Sequence, residues 1–512
     1  FRNITTDVAK LTKKYRGSFS GEHGDGIVRA EFIPLMIGDK NYELLRRIKS
    51  YFDPQGIFNP GKIVDAYPMD KSFRYEVDRV EPEIKTLLDF SDSEGILKAA
   101  EKCNGSGDCR KTHHMSGGMC PSYHATKNEK DTTRGRANAL REFLTNPKSI
   151  SKNWFDSPEI KEAFDLCLSC KACASECPSN VDISTLKAEF LYQYQETNGY
   201  PLRGKLFAYN TKLNGFGSKV AGLTNVVYES KLLGGLLKKA SGVAKERSFP
   251  KVYSFNFNKY LQNIVSQHAT TKNKVVLFID EFTRYLDVEV GKDAIELLVR
   301  LGYDVELYFA ESGRTFLSKG FLKQAQKLAV KNTKELKKFA DLGLPILGLE
   351  PSAILSFRDE YKRMAADKEV AQKIADHSFL IEEFLAKEIS DGRLKVTDFT
   401  EDAKDVKIHN HCHQKALSNQ KVTFDVLNLP INYKVTIIPS GCCGMAGSFG
   451  YEEEHYKTSM KIGGLKLFPS VNKSAPETII AANGTSCRHQ IFDGTKRIAK
   501  HPVSILKEAL VN

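Results

Sequence analysis

The run CLSCKACASECP sets Cys167, Cys170, Cys173 and Cys177 at two-, two- and three-residue spacing and closes with Pro178. By this spacing a chain wraps three thiolates around one iron–sulfur cube and sends the fourth to a neighbouring centre. A structural zinc site rarely packs four cysteines so tightly before a proline, and disulfides are the other alternative. The run therefore predicts iron–sulfur ligation and, with it, electron transfer.

The other cysteines support that reading. There are eleven in 512 residues, an odd number that falls in clusters, with no apolar signal segment ahead of them. They read as reduced metal ligands in a reducing, cytoplasmic compartment. The length suits several domains. No uninterrupted apolar run reaches the roughly 18 residues of a spanning helix, so membrane association is expected to be peripheral at most, on the inner face of the cytoplasmic membrane. The net charge of +12 suits an anionic membrane surface, an acidic partner or anionic substrates. Nucleic acid is not expected, because the basic residues are spread along the chain with little aromatic interleaving.

A second cysteine set lies upstream: Cys103, Cys109 and Cys120, with Pro121 after the last and Ser106 at the middle position. Cross-supply assigns Cys120 to Cys167, Cys170 and Cys173, a complete set for a 4Fe-4S cluster. It leaves Cys177 with Cys103 and Cys109, three thiolates that suit a 3Fe-4S cluster or a 4Fe-4S cluster with one other ligand. The alternative is local ligation by Cys167, Cys170, Cys173 and Cys177 alone. Between the sets lie TTRGRANALREFL and SPEIKEAFDLC, both helical by period. Asp131 to Thr133 are candidate caps, and Arg134, Arg136 and Arg141 either face the clusters or are solvated. This pattern resembles the helical ferredoxin module of succinate dehydrogenase iron–sulfur subunits.

Residues 201–272 form a basic stretch rich in Gly, Ser, Lys and apolar pairs, read as a helical linker with the option of lying on an anionic membrane. The remainder contains an internal repeat, 273–395 and 396–512, each half reading as strand, helix, strand in the alternation of a parallel sheet flanked by helices. Aligning Gly313 on Gly444 places Cys412 on Glu281, Cys442 on Glu311 and Cys443 on Ser312, so the first copy lacks the cysteines. The segments HNHCHQKAL, GCCGMAGSFGYEEEHY and NGTSCRHQ resemble the cysteine-rich CCG domain of heterodisulfide reductases and iron–sulfur lactate-oxidising proteins. The resemblance implies Cys412, Cys442, Cys443 and Cys487 as ligands of an iron–sulfur cluster or zinc. The nearby His411, His413 and His455 read as structural polar groups.

Near the start, SFSGEHGDG places Gly21, Gly24 and Gly26 around Glu22, His23 and Asp25. This is a tight polar turn, and a histidine beside a carboxylate can serve as a general base. Residues 18–62, ending in IKSYFDPQGIFNPGK, resemble the C-terminal end of the FAD-linked oxidases that include D-lactate, glycolate and D-2-hydroxyglutarate dehydrogenases. The resemblance implies that His23 takes the hydroxyl proton of a 2-hydroxy acid and that Glu22 stands at a metal-ligand position of some members. Arg29 is a candidate clamp for the acid carboxylate. Asn59, Gly61 and Lys62 would lie beside the flavin ring. The opening at Phe1 without methionine leads to the expectation that an upstream portion holds most of the FAD site.

The expected architecture is multidomain α+β. It comprises the end of an FAD-linked oxidase cap domain (1–70), an α-helical ferredoxin module (85–200) and two α/β CCG-type repeats, with residues 71–90 as a charged linker. The resemblance implies an FAD- and iron–sulfur-dependent D-2-hydroxy-acid dehydrogenase. D-lactate is the first expectation, with glycolate and D-2-hydroxyglutarate as others. Electrons would pass to a quinone or cytochrome-type acceptor, and a homo-oligomer is open. The rival is a non-catalytic electron-transfer subunit resembling that of anaerobic glycerol-3-phosphate dehydrogenase.

Overall fold

The structure is a computed structural model that describes residues 1–71, 81–145, 155–268, 270 and 272–511. Its chain divides into two compact units, Phe1–Glu83 and Ile84–Asn512. Part of the charged linker expected at 71–90 lies outside the described residues.

In the first unit the described elements are helical, and the helix Arg2–Lys14 packs Ala9 into a small core with Phe32 and Met69. The Arg2 guanidinium holds this together as a fork, donating to Asp70 at 2.7 and 2.6 Å and to Glu31 at 2.7 Å. The helix predicted from DKNYELLRRIKSYF spans Asp39–Phe52. It stops where the Asp53 carboxylate accepts from the backbone N–H groups of Ile57 and Phe58, both at 2.9 Å. Ile4, Val8, Leu11 and Tyr15, on one face of the first helix, stay exposed.

The second unit begins with a helical module. Ser157 caps the helix Pro158–Asp165 by accepting from Ile160 N at 3.2 Å, and Asp182 caps Ile183–Asn198 through Ser184 N and Thr185 N. Both follow from short polar side chains standing before an amphipathic run. Phe190, fully buried, packs its ring 5.4 Å from Phe164 and 6.2 Å from Phe155. Of the expected caps at 131–133 it is Thr132 that accepts, from Gly135 N at 2.8 Å. Gly135 is required there, since a Cβ would meet the Glu129 carbonyl oxygen at 2.2 Å. Arg136 is buried and donates to the carbonyls of Ala163 and Asp131 and to Ser122, whereas Arg134 pairs with Glu129 and Arg141 with Glu142.

Two parallel four-stranded sheets follow. The first contains β1 (Lys274–Ile279), β2 (Asp304–Phe309), β3 (Ile346–Gly348) and β4 (Ser378–Leu380) in the order β2-β1-β3-β4. The second contains β5 (Lys404–His409), β6 (Tyr433–Ile437), β7 (Ile479–Ala482) and β8 (Ala499–Lys500) in the matching order β6-β5-β7-β8. β1 is buried from Val275 to Ile279, as a strand covered on both faces must be. Val276 and Phe278 join the core of the helical module, while Val275, Leu277 and Ile279 join a core shared with Val406, Ile408 and Ala481 of the second sheet. The period of two thus turns one strand into the partition between two cores. Among the described residues no helix is long and apolar enough to cross a membrane.

One charged clamp ties three parts of this unit together. The His455 ring stacks on Phe449 at 4.4 Å and lies 2.8 Å from Asp165 and 2.9 Å from Glu452, and Glu452 in turn pairs with Lys319. Burial opposes the imidazolium charge, but the Asp165 and Glu452 carboxylates outweigh it and raise the pKa to about 9. Such a group contributes its full stabilisation below its unfolded pKa of about 6.5 and loses it as pH climbs to about 9. The denaturant midpoint is therefore expected to fall across pH 6.5–9 by an equivalent of about 1–2 kcal/mol. His455→Gln is expected to lower stability at pH 6 and remove that slope.

Candidate metal centres

Three adjacent strand ends build the centre around the CCG residues. Cys412 opens the helix Cys412–Leu417 after β5, Cys442 and Cys443 lie in the loop after β6, and Cys487 lies in the first turn of Thr485–Thr495 after β7. The chain leaves central β5 for β6 on one side and reaches β7 on the other. The cysteines therefore gather at the carboxyl ends of the strands, at the point where the strand order reverses, which is where open α/β sheets bind ligands. All four are free thiols.

Close backbone approaches shape the pocket. Gly444 has φ +94° and a Cβ there would meet the Ser459 carbonyl oxygen at 2.3 Å, so the GCCG turn needs a residue without one. At Gly484 a Cβ would stand 2.5 Å from the His411 ring and 3.3 Å from the Cys487 sulfur. Glu350, from the first sheet's half, accepts from Thr485 N at 2.8 Å and so holds the helix that carries Cys487.

The four thiols share protons. A hydrogen bond from Cys442 holds Cys412 low, at about 6, against burial, and bonds from Cys442 and Cys487 hold Cys443 well below the ordinary thiol value. The donors Cys442 and Cys487 are correspondingly pushed up. Lys415 donates to the carbonyls of Ser440 and Gly441, and its charge is opposed by burial but favoured by Cys412 and Cys487. The imidazoles sort by partner. His413 donates through Nε2 to Ser169 O at 3.0 Å, and His411 accepts through Nδ1 from His413 N at 3.1 Å. His455 lies in the clamp. These match the structural roles expected of lone histidines. His409, at the end of β5, is different: one of its ring nitrogens stands within 4.8 Å of the sulfurs of both Cys443 and Cys487.

The second thiol group adjoins the first. The helix Ala172–Glu176 packs on Cys412–Leu417, His413 reaches the Ser169 carbonyl between Cys167 and Cys170, and Cys412 is among the thiols that, after burial, push Cys170 well above its ordinary value. Cys120 has φ +57° and Lys171 φ +61°, left-handed conformations that aim the neighbouring side chains at a local cost. Burial pushes the Cys120 thiol up to about 12. Cys120 takes the Thr133 N–H at 3.0 Å, and Cys109 takes that of Arg134 at 3.5 Å, both at the start of the helix Thr133–Thr145. Glu176 joins the two motifs by accepting from Gly118 N at 2.8 Å and Met119 N at 3.0 Å. Cys120 stands between two groups, since Cys120 and Cys167 act on Cys173 while Cys103 acts on Cys109 and Cys109 on Cys120.

The first sheet repeats this plan without sulfur. Glu281, aligned with Cys412, accepts from Ser312 N at 2.8 Å and from Ser312 Oγ at 2.7 Å, and Ser312 is aligned with Cys443. Gly313, like Gly444, has positive φ. A carboxylate–hydroxyl hydrogen bond fills the place of the cysteines, and Glu281, raised to about 7 by burial, is enclosed.

In the first unit, His23 and Glu22 lie 3.5 Å apart with both side chains 85% exposed. Arg29, expected as a carboxylate clamp, donates to the carbonyls of Gly24 at 2.6 Å and Phe19 at 3.3 Å and so braces the glycine turn. Asn59 and Gly61 have φ +51° and +73°, and a Cβ on Gly61 would strike Tyr67 at 2.3 Å. These residues form an exposed polar edge that suits one wall of a flavin site rather than an enclosing pocket.

The donor chemistry fits sulfur-ligated metal at both cysteine groups: clustered, mostly buried thiols outside any disulfide, with lysines at hand to offset thiolate charge. Gly444→Ala is expected to cost about 1–3 kcal/mol and to lower bound metal. Gly464→Ala, in the helix Glu453–Leu465 with nothing within 4 Å of its Cβ, is expected to be neutral or stabilising by up to about 1 kcal/mol. Denaturant midpoints and metal content of the two variants check this pair.

Residues 1–63 match the family FAD linked oxidases, C-terminal domain, and residues 102–182 match the 4Fe-4S dicluster domain. The chain is 29% identical over its full length to a D-2-hydroxyglutarate dehydrogenase of Haemophilus influenzae and 29% identical over 99% of its length to that of Escherichia coli K12. In each case it covers 53% of the relative, so it spans about half the length of these curated proteins. Over 65% of its length it is 28% identical to a subunit of the anaerobic glycerol-3-phosphate dehydrogenase of Escherichia coli K12, covering 83% of that protein. No solved structure matches the chain. With its thiols gathered in two adjoining groups, the chain matches the FAD linked oxidase C-terminal domain and the 4Fe-4S dicluster domain over these two segments and is homologous to the D-2-hydroxyglutarate dehydrogenases and to this anaerobic glycerol-3-phosphate dehydrogenase subunit.

Proposed function

We propose that this chain is the electron-draining portion of an FAD-linked D-2-hydroxy-acid dehydrogenase and that its substrate is D-2-hydroxyglutarate rather than D-lactate or glycolate. The observation that carries the reading is the presence, in one polypeptide, of the oxidase domain match at 1–63 and of two adjoining thiol groups. The choice of substrate is supported by the names of the relatives it matches over its whole length. FAD, when bound by a flavin-binding part in the same polypeptide or a partner, takes two electrons as hydride and releases them singly, as an iron–sulfur relay requires.

The chain's own residues then have these parts. His23 takes the substrate hydroxyl proton on Nδ1 or Nε2, with the Glu22 carboxylate 3.5 Å from Nε2. Arg29 holds the glycine turn that presents His23. Asn59, Gly61 and Lys62 form the flavin-facing edge. Cys120, Cys167, Cys170 and Cys173 hold a 4Fe-4S cluster, with Cys103, Cys109 and Cys177 at a second centre and Cys412, Cys442, Cys443 and Cys487 at a third. A quinone is the proposed acceptor. The helices from Asn210 to Ser241 expose Leu213, Phe216, Leu223, Val226 and Leu236 beside Lys212, Lys219, Lys238 and Lys239, a surface suited to an anionic membrane that holds it.

The rival electron-transfer reading is supported by the similarity to the glycerol-3-phosphate dehydrogenase subunit, but it leaves the oxidase domain match at residues 1–63 without a purpose. Anaerobic purification of the complete gene product, with iron, sulfide, zinc and flavin quantified, separates the two. Adding D-2-hydroxyglutarate is expected to bleach the flavin before the clusters, faster than D-lactate or any L-acid, and His23→Ala is expected to slow that step about 10²–10⁴-fold. Protein that holds iron but no flavin and responds to no hydroxy acid would establish the electron-transfer reading instead.

A further inference from the structure

β5 places one residue at the cysteine centre that the four-thiol assignment does not use. His409 is fully buried at the carboxyl end of the strand, with Nε2 left to face the Cys443 thiol, which interacts with the ring. A buried ring nitrogen with only thiols to face is costly unless something binds it. The surroundings say what does: a ring nitrogen of His409 and the sulfurs of Cys443 and Cys487 all lie within 4.8 Å of one another, on the scale that one ion bridges at bond lengths of about 2.0–2.3 Å.

The other face of the ring offers a partner that suits one tautomer. His409 Nδ1 lies 2.7 Å from Ser440 Oγ, and the Ile438 carbonyl stands 3.5 Å from that oxygen. With its hydroxyl turned to the carbonyl, Ser440 accepts from Nδ1–H and Nε2 keeps a bare lone pair. A ligating histidine is normally arranged in this way, with its second nitrogen tied to an outer partner that fixes the ring. The neighbouring imidazoles lack this arrangement, because His413 spends Nε2 on Ser169 and His411 spends Nδ1 on a backbone N–H.

We propose that His409 Nε2 is a metal ligand of the CCG centre, completing a mixed nitrogen–sulfur donor set with Cys443 and Cys487, and that Ser440 orients it. The inference rests on the reading that Cys412, Cys442, Cys443 and Cys487 hold a metal centre. A neutral imidazole carries one negative charge fewer than a thiolate in the same place, so an iron–sulfur centre here has a higher reduction potential than it would with a cysteine at 409.

The test uses the full chain reconstituted anaerobically with ferrous iron and sulfide, with ¹⁴N- and ¹⁵N-histidine samples compared by pulsed electron paramagnetic resonance. The expected result is a directly bonded histidine nitrogen coupling that changes with the isotope and disappears in His409→Ala. Signals of the Cys167–Cys177 group should persist as a control for folding. Metal retention at the CCG centre should fall at least about 10-fold in His409→Ala and by a smaller factor in Ser440→Ala. His409→Cys should restore retention with a lower potential. A centre that is loaded at the four cysteines but shows no directly bonded nitrogen overturns the His409 assignment and leaves the metal reading standing. Wild-type protein with neither iron nor zinc in the CCG pocket overturns both.

Discussion

The structure depends on the crossover of the second sheet, in which central β5 sends the chain to β6 on one side and receives β7 on the other. At that reversal the segments that follow three adjacent strand ends bring residues far apart in sequence, Cys412, Cys442, Cys443 and Cys487, to one end of the sheet. The glycines at 444 and 484 are consequences of crowding at that point, since a Cβ at either would collide with the backbone or the His411 ring. The first sheet repeats the same crossover, and its Glu281–Ser312 pair shows that the topology survives when the sulfur chemistry is gone. That half instead holds its partner: Glu350 anchors the Cys487 helix, and Asp287 pairs with Arg488 at 2.6 Å.

Burying thiolates and metal is an electrostatic problem, and buried cations meet it. Lys415 lies among the CCG cysteines, Lys187 donates to the Cys167 carbonyl at 2.5 Å, and Arg136 lies behind Cys120. Lys171, between Cys170 and Ala172, is itself fully buried. Burial opposes its charge, but Asp182, Asp359 and Glu360 hold its pKa above the ordinary value. Two of those carboxylates come from the first α/β half, so the loop carrying Cys170 is fixed by a charge pair across a packed boundary. Removing one partner of such a pair costs about 3–5 kcal/mol because the other stays buried and uncompensated.

Much of this was legible in the sequence where the chemistry is local. Cysteine spacing, the Cys120–Pro121 and Cys177–Pro178 pairs and the strand–helix alternation are properties of short windows, and the parallel sheets answer to them. Cap positions were legible only to within a residue, because Asp131, Thr132 and Thr133 all have the chemistry and only the helix start selects Thr132. The contact of the Cys170 loop with the Cys412 helix could not be read, since it arises from packing between segments more than two hundred residues apart. HNHCH offers three imidazoles, and only strand register distinguishes His409, which faces the sulfurs, from His411 and His413, which serve the backbone. Arg29 shows a related ambiguity: a guanidinium near a glycine turn suits a carboxylate or a carbonyl equally well, and in the fold it donates to the Gly24 and Phe19 carbonyls.

In the proposed relay, thiols from distant segments form three metal centres, and those built on Cys167, Cys170 and Cys173 and on the CCG cysteines are close enough to exchange electrons directly. Continuous-wave electron paramagnetic resonance of the fully reduced, iron-reconstituted protein tests this most directly. The account predicts spin–spin splitting or broadening between the Cys167–Cys177 group and the CCG centre, lost when Cys443→Ser empties the latter. Two sharp, independent signals unaffected by that substitution, or protein without iron, would contradict it.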